Sequence, residues 1–324
     1  MMAASKALQN KLVVITGGSG FFGRHVAQAL LEQGARLRIV SRNPEKAFEL
    51  KPMANLGQLQ FARCDVTNPA SVAAALHGAD AVVNLVGAFD GDLMQLIAGG
   101  AENVAKAATD AGAAAMVHVS AIGADLESEA EYARAKAQSE LDVLAAYPKA
   151  TVIRPSLLFG EDDGFLTMFS GMIAALPALP VFAPHAKLQM LFVDDAADAV
   201  VAALTDPAKH GGKTYEIAGD EAIGMLDLHE RIAAAQGRKR MFIEMPDTVS
   251  GIFAALPGTP MGRDQWILLK QGNTPSGKYP GIAKLGIDPR PLDLFLDRWM
   301  VKYRKHGRFT QRVSNLPAPV GKET

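Results

Sequence analysis

The sequence predicts an α/β fold, a doubly wound parallel sheet with a smaller mixed C-terminal region. Three observations carry that prediction. Short β-rich apolar runs alternate with helical segments through the first half of the chain, the pattern of a parallel sheet joined by crossover helices. A glycine-rich run lies between the first expected strand and the first expected helix. Beyond Pro155 the alternation gives way to mixed elements with Pro/Gly-rich links at Leu256–Gly262 and Asn273–Gly281.

The elements follow in order. Leu12–Thr16 is the first strand, and Phe21–Gln33 a helix with Val26, Leu30 and Leu31 on one face and Gly34 as its stop. Arg36–Val40, Leu59–Ala62, Ala81–Val86, Met116–Ser120 and Thr151–Arg154 are the next strands. Helices are expected between them at Ser71–Leu76, Leu93–Ala111 and Glu129–Tyr147. Later, Leu188–Val193 and Thr214–Ala218 read as strands around a helix over Ala196–Leu204, which Asp194 and Asp195 are placed to cap. The expected division is a nucleotide-binding core over residues 8–155, with returning elements at about 188–219. A docking region follows over 156–187 and 220–312, and a tail over 313–324.

Composition excludes several function classes. With a net charge of −1 the chain lacks the basic excess of a bulk nucleic-acid binder. Cys64 is the single cysteine, so no internal disulfide is possible and a reduced, cytoplasmic setting is expected. The run Gly164–Ala186 carries no Lys, Arg, Asp or Glu, but Pro177, Pro180 and Pro184 argue against a membrane-spanning helix. It is expected to be a buried or interface-lining loop. The seven histidines show no metal-ligand spacing.

The chemistry begins at Thr16-Gly-Gly-Ser-Gly-Phe-Phe-Gly23. Glycines at 17, 20 and 23 allow a tight turn and close approach of the backbone to a phosphate. The helix start, with Phe21 and Phe22, offers free N–H groups and its positive dipole end to a pyrophosphate. After the second strand stands Ser41-Arg42-Asn43, without the carboxylate that would bind a ribose 2′-hydroxyl. A guanidinium suits a 2′-phosphate, so NADP(H) is expected over NAD(H), with Arg24 and Arg38 adding to the field. Asp65-Val66 reads either as an adenine contact or as a turn carboxylate. Leu85-Val86-Gly87 stands where backbone passes beneath the nicotinamide-side ribose, and Pro155 presents Ser156 toward the nicotinamide.

Tyr132-Ala-Arg-Ala-Lys136 places a phenol and an ammonium one turn apart on one helix face. A tyrosine so placed exchanges a proton with a substrate oxygen, and a neighbouring cation is expected to lower its pKa. Lys136 is also placed to hold the nicotinamide ribose, and Ser120 to orient the substrate oxygen.

Together these segments, with RPSLLFG and LFVDDAADAV, resemble the extended and atypical short-chain dehydrogenases/reductases of Rossmann fold. The stretches Pro260–Lys270, Pro280–Ile287 and Pro291–Arg308 are similar to one branch, the NADPH-binding accessory subunits of respiratory complex I (NADH:ubiquinone oxidoreductase) and their bacterial relatives. The resemblance implies Gly17, Gly20 and Gly23 on the pyrophosphate, Arg42 on the 2′-phosphate, and Tyr132 and Lys136 beside the ribose. It also implies a structural nucleotide and peripheral-arm subunits of complex I as partners. From Arg298 to Arg312 there are six Lys or Arg and no acid, a stretch suited either to an anionic surface or to a solvated end. No import sequence is evident, which suits a bacterial cytoplasmic protein at the inner face of its membrane. Two functions follow: an NADP(H)-holding accessory subunit, or an oxidoreductase, epimerase or dehydratase using Tyr132 and Lys136. In the second case Phe165, Met168, Phe169 and Met172 would line a substrate lid. NADPH sensing is a third reading, which needs fast exchange.

Overall fold

A computed structural model describes residues 6–255 and 262–305. Pro260 and Met261 of the C-terminal motif, most of the 256–262 link, and the basic tail with Arg308, Phe309 and Arg312 lie outside the described residues.

Six strands follow the N-terminal alternation: β1 (Leu12–Thr16), β2 (Arg36–Ser41), β3 (Leu59–Arg63), β4 (Ala81–Asn84), β5 (Ala115–Val119) and β6 (Thr151–Pro155). With the strand Thr214–Ile217 they form a seven-stranded, all-parallel sheet in the order 3-2-1-4-5-6 and then Thr214–Ile217. This is the doubly wound Rossmann arrangement, and β1 next to β4 is the point where the order reverses and a crevice opens. Every residue of β1 and β5 is buried, as expected of strands covered by helices on both faces.

The α-helices up to Thr205 are α1 (Phe21–Glu32), α2 (Pro69–Leu76), α3 (Gly100–Asp110), α4 (Glu131–Ala146), α5 (Gly164–Ala175) and α6 (Val193–Thr205). Val13, Ile15, Leu37 and Ile39 face a core completed by Val26 and Leu30 of α1 and Val200 of α6. Val14, Val82 and Met116 face the opposite core, closed by Val72, Val104 and Val143. Where one continuous helix was expected before β5, the chain makes a π-helix over Met94–Gly99 and only then α3. β4 also stops at Asn84, two residues short of the expected end.

Two expectations beyond Pro155 are corrected. The charge-free run is not a loop. Asp163 caps α5, its carboxylate accepting from the Leu166 and Gly160 N–H groups at 2.7 and 3.0 Å. The helix ends before Pro177, and Ala178–Val181 pairs in parallel with Met241–Glu244. Leu166, Ile173, Leu179 and Val181 join a third core with Phe159, Phe192 and Trp299, and Phe165, Phe169 and Met172 pack against it. The run lacks charge because it supplies core, and Phe165, Phe169 and Met172 of the expected lid are packing residues. No helix among the described residues is long and apolar enough to cross a membrane.

The second correction concerns Asp194 and Asp195. Helix α6 starts at Val193, so both lie in its first turn and not at its cap. Asp195, almost fully buried, is clasped by Arg290 through its N–H at 2.7 Å and its guanidinium at 2.6 Å. The sheet edge is tied to the C-terminal region in the same manner. Arg154 forms a bidentate pair with Glu140 (2.7 and 2.8 Å), and Glu216 accepts from the Ser276 N–H and hydroxyl at 2.6 and 2.8 Å.

Candidate functional site

The phosphate loop has the geometry its glycines imply. Gly17 adopts φ +74°, and a Cβ there would stand 3.1 Å from the Leu85 carbonyl carbon and 3.2 Å from the Val86 nitrogen. A Cβ on Gly23 would come within 2.6 Å of the Gly18 Cα, so helix and loop touch there without room for a side chain. Gly20 is the N-cap of α1 and brings no side chain to the helix end. The first-turn N–H groups, those of Phe21 and Phe22 included, therefore have no capping side chain from Gly20. The two phenyl rings pack toward the third core and serve the site through backbone alone.

At the end of β2, the Ser19 hydroxyl donates to Ser41 Oγ at 2.9 Å, locking the phosphate loop to the strand that precedes Arg42. Arg42 is exposed and makes no ion pair with a described residue. The other two arginines are committed elsewhere, which corrects the expectation that they share its field. Arg24 binds Glu49 at 2.7 Å and Asp162 at 2.6 Å. Arg38 donates to the Ala75 and His77 carbonyls at 2.8 Å each, closing the end of α2. Asp65 is a turn carboxylate: its Oδ1 accepts from the Thr67 N–H at 3.0 Å and the Thr67 hydroxyl at 2.8 Å. These bonds, with Arg42 nearby, hold its carboxyl below the usual range. The Val66 carbonyl accepts from the Asn103 amide at 2.9 Å, and its side chain packs on Gly100.

Lys136, fully buried, donates to the Val119 carbonyl at 2.9 Å and the Val86 carbonyl at 3.1 Å. Its ammonium is 3.8 Å from where a Gly87 Cβ would stand and 5.9 Å from the centre of the Tyr132 ring. Burial lowers its pKa to about 8, although Glu140 pulls the other way. Lys136 alone does not lower the Tyr132 pKa. Burial pushes the phenol up to about 12, because in an apolar setting the phenolate loses more solvation than a cation near 6 Å restores. Ser120 and Ser156, beyond the ends of β5 and β6, are buried with hydroxyls that have no hydrogen-bond partner. Unpaired buried hydroxyls are uncommon, which singles these two out as candidates for a bound group. Pro155, the last residue of β6, delivers Ser156 there.

A buried polar chain that sequence reasoning missed runs under this site. Thr16 donates to Asn84 Oδ1 at 2.7 Å, and Asn84 Nδ2 meets His118 Nδ1 at 3.1 Å. His118 Nε2 meets Ser139 Oγ at 2.9 Å, and Ser139 donates to the Lys136 carbonyl at 2.7 Å. Since Asn84 Oδ1 already accepts, its amide donates to Nδ1 and the imidazole carries its proton on Nε2. Burial, with Lys136 adding to it, lowers the His118 pKa to about 3. The signal was a lone His in an otherwise apolar strand, which alone reads as core.

A cavity of about 500 Å³ opens elsewhere, between α1, the 44–53 turn and the Phe295–Trp299 helix face. Several of the charges lining it are paired with one another: Arg24 with Glu49 and Asp162, and His25 with Asp194. The nicotinamide-side residues do not line it, so it is separate from the site built here.

A profile of the NAD dependent epimerase/dehydratase family matches residues 13–218. The chain belongs to that family. It is 28% identical over 319 residues to the NADH dehydrogenase (ubiquinone) 1 alpha subcomplex subunit 9, mitochondrial, of Arabidopsis thaliana, covering 91% of this chain and 79% of the relative. It is also 30% identical over 260 residues to a 2-alkyl-3-oxoalkanoate reductase of Stenotrophomonas maltophilia, covering 71% and 77%. Among solved structures, an NADPH-dependent quinone oxidoreductase from Escherichia coli complexed with NADPH superposes with a TM-score of 0.71 at 21% identity, covering 88% of this chain and 99% of that one. The resemblance to complex I subunits thus holds along most of the chain, within an atypical branch of the short-chain dehydrogenase/reductase fold.

Proposed function

We propose that this protein holds NADP(H) chiefly as a structural element and serves respiratory complex I as an accessory subunit or assembly factor. The observation that carries the reading is the state of the Tyr132–Lys136 pair. An ammonium has three N–H donors, and two of those on Lys136 are fixed on the Val86 and Val119 carbonyls. The third is left to hold a ribose hydroxyl. A phenol near pKa 12 remains a neutral hydrogen-bond donor at physiological pH. A pair in this state can hold a nucleotide, and the complex I relatives support the structural role.

In this reading Gly17, Gly20, Phe21, Phe22 and Gly23 hold the pyrophosphate through backbone, with Ser41 and Arg42 on the 2′-phosphate. The free guanidinium of Arg42 supports NADP(H) over NAD(H). Val66 meets the adenine through backbone, and Asp65 shapes the turn that presents it. Leu85, Val86 and Gly87 lie beneath the ribose, and Ser120, Pro155 and Ser156 border the nicotinamide. The bound dihydronicotinamide would supply a hydride. Residues 8–155 with 188–219 form the nucleotide half, and 156–187 with 220–312 the partner side. The complex I relatives support that partner class.

The test is a native gel of gently solubilised host membranes carrying the tagged chain, with complex I located by its NADH dehydrogenase activity. Co-migration, with NADPH retained through gel filtration, is expected. Migration as a free small protein that loses its nucleotide would sink the proposal.

One observation favours a second reading, an active NAD(P)H-dependent oxidoreductase, epimerase or dehydratase. Ser120 is buried with an unpartnered hydroxyl, which suits the role of orienting a substrate oxygen, and a relative is named a reductase. Tyr132→Phe separates the two. It leaves co-migration intact under the first and abolishes turnover under the second.

A further inference from the structure

The loop after β4 places an aromatic cover on Tyr132. The Phe89 ring stacks on the Tyr132 ring with centroids 4.5 Å apart and planes 18° from parallel. Beneath the pair, Ala88 and Tyr132 pack on Leu93, Ile97 and Ala135, so the π-helix and α4 support the phenol from below. Phe89 itself is 52% exposed. A large apolar ring left half in water at the mouth of a site is a packing choice that the core does not require.

Proton exchange needs an acceptor oxygen within hydrogen-bond reach of the phenol. Lys136, Val86 and Gly87 lie on the side assigned to the nucleotide ribose. Phe89, stacked on the Tyr132 ring and half exposed, covers a ring face that a substrate coming from solvent would meet. We propose that Phe89 is the specificity-determining residue of this site, a cover that admits nucleotide but keeps acceptors off Tyr132. This rests on the reading that the nicotinamide end lies beside Tyr132 and Lys136. Phe89 stands between Gly87 and Gly91, and Gly91 adopts φ +90°. The cover is a short arc with a glycine at each end, and its ring is half exposed and not among the buried core residues.

The experiment measures access to the phenol directly and needs no turnover. The nucleotide-free full chain is treated with N-acetylimidazole, and acetylation at each tyrosine is followed by peptide mass. Tyr279, 37% exposed, is the internal reference. In the wild type Tyr132 is expected to react at least fivefold more slowly than Tyr279, and Phe89→Ala to raise its rate at least fivefold. Phe89→Tyr, which keeps the ring, should retain protection. Equal Tyr132 rates in wild type and Phe89→Ala, or a wild-type Tyr132 as reactive as Tyr279, would overturn the proposal. In parallel, NADPH affinity and acrylamide quenching of bound nicotinamide fluorescence are measured. Loss of binding in every variant removes the nucleotide reading, while the acetylation result still decides the cover. Unchanged affinity with greater quenching in Phe89→Ala is the expected outcome.

Discussion

The Asp264 carboxylate accepts a 2.9 Å hydrogen bond from the backbone N–H of Tyr132, a residue 132 positions earlier in the chain. Helix α4 begins after Ala130, which has no side chain able to cap it. The cap is supplied instead from the C-terminal helix Arg263–Gln271. Its Trp266 is buried against Ala183, a part of the chain that the sheet does not include. The start of the Tyr–Lys helix is thus fastened to the C-terminal region. Asp264→Ala is expected to cost about 1 kcal/mol, as loss of an N-cap does, and to lower Tm by on the order of 2 °C for a chain of this size. Amide exchange at Tyr132 should quicken, and Asp264→Asn should recover most of both. An unchanged exchange rate in Asp264→Ala would show that the bond does not hold the helix start.

Arg42, just past β2, makes no ion pair with a described residue, whereas Arg24 and Arg38 are bound to other groups. Arg42→Glu is expected to weaken NADPH binding roughly 10- to 100-fold, the range for losing charge-assisted hydrogen bonds. NADH affinity should be untouched or improved. Fluorescence titration with both nucleotides checks this, and equal losses for the two would remove Arg42 from the 2′-phosphate.

His118 makes stability sensitive to acid. Its folded pKa is near 3 and its ordinary value is 6.5. Between those values the unfolded chain binds more protons than the folded one, so stability is present above pH 6.5 and lost as pH falls toward 3. At pH 5 the loss is roughly 2 kcal/mol. Urea midpoints at pH 7 and pH 5 should show His118→Asn less stable than wild type at pH 7 but with a shallower decline. Parallel declines would mean that His118 is not the group responsible.

Lys136 acts at the alkaline end. Its pKa is lowered from 10.5 to about 8, so between those values the unfolded chain again holds more protons and stability rises with pH. The full window is worth about 3 kcal/mol. In Lys136→Met this rise should vanish, together with tenfold or more of the NADPH affinity. Comparing denaturation at pH 7.5 and pH 10 measures the first, and a binding titration the second. A rise that survives in Lys136→Met must come from another group.

Much of the fold was legible in the sequence because it is written in local periodicity. Val13 to Ile15 and their counterparts alternate with amphipathic helices, and no other arrangement buries strands that are apolar on both faces. The phosphate loop was legible for a similar reason. Gly17 is demanded by its own positive φ, and Gly23 by contact with Gly18 in the same loop. The pattern misread the run 164–186, where absence of charge signals burial but does not distinguish a helix and strand from a loop. It also credited three arginines with one role, since residue type says nothing of which carboxylate or carbonyl lies within reach.

By itself, then, the sequence determined the parallel sheet, the glycine cradle and the spacing of Tyr132 and Lys136, all written in local periodicity and short motifs. Only the tertiary structure decided that Arg42 makes no ion pair with a described residue while Arg24 and Arg38 bind other groups, that burial raises the Tyr132 pKa, and that His118 links Asn84 to the Lys136 helix. It also decided that Phe89 and Asp264 bracket Tyr132. Those facts depend on burial and on partners tens to more than a hundred residues distant, and electrostatics responds to distance in space and to solvent exclusion, neither of which residue order records.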